Sequence, residues 1–133
     1  MARAAIGWRA VGALLLVVLG SPCVPSRAAT YYVPDHFPTI QGAVTAAADG
    51  DKIVGRAGTY PERIDFLGKL ITVQGANPSS WDVIASTIVD GVDGGTVVKF
   101  VHGETRAATL CGLTIQNGKA KYGGGILCDG ASP

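Results

Sequence analysis

The sequence predicts a mostly β protein, a parallel stack of short strands with a single helix laid over its first turn. Three observations carry that expectation. Ile40 to Ala47 has its apolar residues at helical period, whereas the apolar residues beyond it fall in short, β-branched runs. Glycines punctuate those runs at Gly58, Gly68, Gly75, Gly91, Gly94, Gly95, Gly112 and Gly118, and no second helical pattern alternates with them. Two segments, Leu70-Ile-Thr-Val-Gln-Gly75 and Gly112-Leu-Thr-Ile-Gln-Asn-Gly118, resemble one another, and a weak repeat of strand and polar turn favours a solenoid over a sandwich.

The first 28 residues read as a secretory leader outside the fold. Arg3 and Arg9 precede an apolar run, Val11 to Leu19, and Ser26-Arg27-Ala28 places small residues where a signal peptidase wants them. The run is shorter than the roughly 20 residues a membrane helix needs, so no membrane span is expected. Export, to the periplasm, the cell surface or beyond, follows, with cleavage after Ala28. A lipid anchor on Cys23 is disfavoured because Pro22 stands where a small residue is needed; an uncleaved N-terminal anchor is the third alternative.

Removing the leader from the 133-residue chain leaves 105 residues, enough for one small domain, with eight Lys/Arg against ten Asp/Glu. That net charge of −2, without a basic cluster, excludes nucleic acid as the expected partner. Cys111 and Cys128 remain; a disulfide is open to them, but small apolar strand residues is the favoured reading. His36 and His102 are isolated in sequence and have no cysteine nearby, so no zinc pattern is present.

Along the remaining chain, Tyr31-Tyr32-Val33 reads as an edge strand ended by Pro34. Thr39 is placed to cap a helix whose apolar face is Ile40, Ala43, Val44 and Ala47, and Gly50 is expected to end it. The expected strands are Ile53–Val54, Ile64–Phe66, Leu70–Gln74, Thr87–Val89, Thr96–Val101 and Leu113–Gln116. In a parallel stack their inward residues form ladders, and the first coil exposes an apolar end and a bare strand edge. An amphipathic helix across that end covers both.

These residues carry a resemblance. Thr39-Ile-Gln, Asp49-Gly50-Asp51, Gly58-Thr-Tyr60-Pro-Glu62, Gly68-Lys69, Ile88-Val-Asp-Gly91 and Gly123-Gly-Gly-Ile126 resemble the opening of the right-handed parallel β-helix, or pectin-lyase-like, superfamily. The wording is similar to that of pectin methylesterases and of exported bacterial β-helix repeat proteins, over about residues 31–133. The resemblance implies a capping helix and first coils, with a polysaccharide as partner. It implies no activity, because such openings precede esterases, lyases and adhesins alike. The family's catalytic motifs lie on later coils and do not occur here. No catalytic, cofactor-binding or metal-binding residue is therefore assigned, and no cofactor is expected. The resemblance further implies a segment lacking later coils, whose open last coil could self-associate; an enzyme fragment and a surface repeat protein are the alternatives.

Individual residues read mostly as architecture. Glu62 is expected to accept hydrogen bonds at a turn, and Asp65, between Ile64 and Phe66, to face outward. Gln74 and Gln116 lie outside any catalytic motif. Asp90 and Asp93 are too few for a calcium site and suit Asx turns. Trp81, in an expected loop, and Tyr122 are expected to pack down onto the coils. Gly123-Gly-Gly125 lacks the Lys-Ser/Thr of a phosphate loop and suits close coil approach, and His102-Gly-Glu104 has no nucleophile beside it in sequence.

Overall fold

The computed structural model describes residues 27–133. The leader therefore lies, but for Arg27 and Ala28, outside the described residues, as do Cys23 and the apolar run. The chain is mostly β, and every strand pairing is parallel.

Ten strands and two helices follow in the order β1 (Thr30–Val33), α1 (Ile40–Ala46), β2 (Lys52–Gly55), β3 (Gly58–Tyr60), β4 (Ile64–Asp65), β5 (Thr72–Gly75), α2 (Trp81–Ser86), β6 (Thr87–Asp90), β7 (Val98–Phe100), β8 (Thr109–Cys111), β9 (Thr114–Gln116) and β10 (Ile126–Cys128). They form three sheets, ordered β1-β2-β5-β8, β3-β6-β9 and β4-β7-β10. From β2 onward the chain visits first, second and third sheet in rotation, three times. Stacked parallel sheets in this order are compatible with a β-helix-like solenoid.

Register places like on like. Ile53, Val73 and Leu110 stack in the first sheet, Tyr60, Val89 and Ile115 in the second, and Ile64, Val98 and Ile126 in the third. The inner members of these ladders are buried, and Phe66 lies against Phe100 with ring centroids 4.3 Å apart. The corners differ in length: Lys52 faces Thr72 and Thr72 faces Thr109, which is why the repeat is faint in the sequence. Where circuits come closest only glycine fits. A methyl group on Gly75 would strike the Gly112 carbonyl, and one on Gly118 would strike that of Gly124. The expected role of Gly123-Gly-Gly125 in close approach is met at Gly124.

The helix α1 starts as the sequence indicates, with the Thr39 hydroxyl accepting the Gly42 N–H at 3.0 Å. Ile40, Ala43 and Val44 are buried beneath it. It ends at Ala46, with Ala47 already extended, short of Gly50. Its last carbonyls do not need a glycine cap, because the Lys69 ammonium donates to the carbonyls of Val44, Thr45 and Ala47 at 2.8, 2.6 and 2.7 Å. Gly50, at φ 93°, serves the turn that follows.

The opposite end is held in the same way. Glu62 accepts the N–H groups of Ile40 and Gln41 at 2.9 and 2.7 Å, opposite charge meeting each pole of the helix. Between them the Gln41 side chain pairs with both backbone groups of Asp65. Asp49 accepts from Leu70 at 2.9 Å, and Asp51 from Ala29 and Ala48 at 2.8 and 2.9 Å. The lid is greasy below and latched by polar side chains at its rim.

Two expectations are corrected. A second helix does exist: Thr87, wholly buried, back-bonds to Val83 at 2.6 Å and ties the single-turn-and-a-half α2 to the start of β6. Its six residues bury no apolar face, which is why no helical periodicity marks it. Trp81, at its first position, is 82% exposed, and Tyr122 69%, so neither packs down. Strands β3, β8 and β10 are likewise outside the expected strands. Among the described residues no helix is long and apolar enough to cross a membrane.

Replacing Lys69 by Met keeps the stem but removes three bonds from a charged donor. The expected loss is about 1.5–3 kcal/mol, read as a lower urea midpoint with unchanged slope.

Candidate functional site

The only cluster of three metal-capable side chains among the described residues sits where the third sheet hands the chain to the first. Asp65 ends β4; His102 and Glu104 lie one circuit later on the loop that joins β7 to β8, and the ligand atoms of all three fall within 4.8 Å of one another. Stacking of the corners, with Phe66 N–H on the Lys99 carbonyl at 3.2 Å, brings them together. His102, isolated in sequence, is thus not isolated in space: its Nδ1 lies 3.3 Å from Asp65 Oδ1. Sequence spacing could not reveal this, because residues 65 and 102 meet only through the circuit length.

Glu104 is 1% exposed. Burial, the largest single influence, raises its pKa, but the N–H groups of His102, of Glu104 itself and of Gly68 together pull it below the usual carboxylate value, helped by the His102 charge. Oε1 accepts from His102 and Oε2 from Gly68, both at 2.9 Å, so one carboxylate joins the corners of two successive circuits. The Ser132 N–H reaches the Glu104 carbonyl at 2.8 Å and adds the third. Asp65 Oδ1 accepts the Leu67 N–H at 2.9 Å in a tight turn and keeps its side chain partly outward. An imidazole with two carboxylates suits a borderline divalent ion in type. Here, however, both oxygens of Glu104 are already committed to backbone donors, and the trio works as a fastener between corners.

Other candidates resolve in the same direction. Asp90 forms the expected Asx turn with Val92 at 2.8 Å, and its second oxygen accepts from Gln116 and Asn117 at 3.0 and 2.9 Å on the next circuit. The Gln116 amide chiefly, then the Val92 N–H, hold Asp90 below the usual carboxyl range. Gln74 donates only to the neighbouring Gly75 carbonyl. His36 Nδ1 accepts the Tyr32 N–H at 3.0 Å. Cys111 and Cys128 are both free and both end strands, β8 and β10; Cys111 is half-buried, and Cys128, on an edge strand, is exposed rather than buried.

Hollows in the described surface lie at the corners, beside the lid and on the last circuit. One of about 210 Å³ is lined by Pro61, Glu62, Arg63, Gly91 and Val92 at the corner between second and third sheets. A second, of about 300 Å³, runs beside the lid between Pro38, Thr39, Tyr60 and Glu62. A wider one, about 490 Å³, opens among Phe100, Arg106, Leu110, Ile126 and Cys128 towards the last circuit. Glu62 borders two of them but is turned to the helix N–H groups, so it offers no free carboxylate to a reaction. Comparison with family models, with curated proteins and with solved structures finds no match for the chain.

Glu104→Gln leaves one of the two part-buried N–H groups facing an amide nitrogen, at an expected cost of about 1–3 kcal/mol at neutral pH. A lowered carboxyl contributes stability above its unfolded pKa of about 4.3 and loses it as pH falls through the folded value. The variant should therefore melt lower than wild type at neutral pH and show a shallower acid decline, measured by thermal unfolding across pH.

Proposed function

We propose that the chain forms the lid and opening coils of an exported right-handed parallel β-helix of the pectin-lyase-like kind, and that it contributes a carbohydrate-associated surface and no reaction of its own. The observation that carries this reading is the register-matched parallel stack closed by a helix that Glu62 and Lys69 grip at its two poles. Those two residues, with Gln41, Asp49 and Asp51, are among those on which the sequence resemblance rests, and each makes a contact in or beside the lid.

Two exposed rings support the carbohydrate part. Trp81 stands out from the corner between first and second sheets and Tyr122 from that between second and third. A flat ring with an apolar face in water is suited to stacking on a sugar ring. The Lys121 ammonium, 5.2 Å from the Tyr122 centroid, adds a donor for hydroxyl or carboxylate groups.

Isothermal titration of the processed chain with soluble methylated and demethylated pectins tests the reading. Binding should weaken about tenfold in Trp81→Ala, whose ring supports no core contact. Binding indifferent to both rings would sink the carbohydrate assignment, and robust turnover of methylated pectin would return the enzyme reading.

A further inference from the structure

We infer that cleavage after Ala28 creates a docking group, the α-ammonium of Ala29, which pairs with the buried carboxylate of Asp51 and so couples leader removal to fastening of the lid. The inference rests on the export reading of the first 28 residues and adds a consequence to it.

Ala29 occupies a built position. Thr30 faces Lys52 across the first sheet, so Ala29 stands opposite Asp51 one step earlier. The Ala29 carbonyl accepts the Lys52 N–H at 2.8 Å, and its nitrogen donates to Asp51 Oδ1 at 2.8 Å. Asp51 is 6% exposed, and its other oxygen holds Ala48, just past the end of α1, at 2.9 Å. One carboxylate therefore binds the first residue of the predicted mature chain to the end of the lid. Its pKa is lowered chiefly by the Ala48 N–H and then by the Ala29 N–H, against burial, with the Lys69 charge adding. Arg27 and Ala28, immediately before, are exposed.

In the uncleaved chain the nitrogen of Ala29 is a neutral amide. Hydrolysis by a peptidase of the export route breaks the Ala28–Ala29 bond. Water supplies hydroxyl to the Ala28 carbonyl carbon and hydrogen to the Ala29 nitrogen. The amine then takes up a proton below its ordinary pKa of about 7.7–8.0. A charged donor on a carboxylate is roughly twice as strong as a neutral one. The charges around it are mixed: the Lys69 ammonium and Lys52 oppose the new cation, while Asp51 and Asp49, the latter held to the Leu70 N–H, favour it. The cation sits on the nearer of these, the Asp51 oxygen.

The test begins with the full chain produced in an exporting bacterial host. Intact mass and N-terminal sequencing should give Ala29 as first residue. Titration of its α-amine by NMR should then show a pKa above the ordinary range, returning to it in Asp51→Asn. Since Asp51 also holds Ala48, a second comparison leaves every side chain intact: selective acetylation of the α-amine should lower the melting temperature by several degrees. A raised amine pKa contributes stability below its unfolded value and loses it as pH rises through the folded value. The acetylation deficit should accordingly shrink in alkali. A first residue other than Ala29 would overturn the cleavage point and the pairing together. An Ala29 amine that titrates in the ordinary range would overturn the pairing alone and leave export standing.

Discussion

The first circuit of a parallel stack must be closed, and in this protein the closure is electrostatic at its edges and hydrophobic at its centre. A seven-residue helix is far too short to be stable alone in water. Its apolar side is buried on the core, but so short an element has nearly all of its backbone donors and acceptors at its ends. Glu62 takes two of the free N–H groups, and Lys69 donates to three carbonyls at the other end. Both come from the circuit that the helix covers. The lid and first circuit thus form only together, and β5 and all later strands build on that platform.

The same economy of backbone groups recurs at each corner. Asp90 binds its own turn and reaches Gln116 and Asn117 on the next circuit; Glu104 binds its own turn and reaches back to Gly68. Each is an acid whose hydrogen bonds run both along and across the stack. Carboxylates that in sequence invite thoughts of catalysis or metal binding are here the means of holding irregular loops of unequal length over one another. Hydrogen bonds of this kind also hold both carboxyls below their usual pKa: for Asp90 the Gln116 amide chiefly and then the Val92 N–H, and for Glu104, against burial, three backbone N–H groups together.

The sequence made the helix and most core strands legible because their burial is periodic. Ile40, Ala43 and Val44 fall on one face, and Ile53, Val73 and Val89 lie in β-branched runs. Thr39 and the Asp90 turn were readable because capping and Asx bonding are local. What escaped was long-range. The Lys69 and Glu62 contacts span more than 20 residues and leave no periodic trace, and the meeting of His102 with Asp65 depends on a corner whose length no local rule fixes. The helix α2 escaped for the opposite reason, since it buries no apolar residue of its own. The exposure of Trp81 follows from that helix: a residue expected to rest on a coil is lifted away at its first position.

A lid latched in this way should not open independently of the strands beneath it. Native-state hydrogen exchange, read residue by residue, tests that most directly. The account predicts that the amides of Ala43 and Ala47 in and after α1 exchange with the same opening free energy as those of Ile53 and Val54 in β2. Helix amides that exchange through a separate, low-energy opening while β2 stays protected would contradict it, and would make the helix an accessory to a stack that closes by other means.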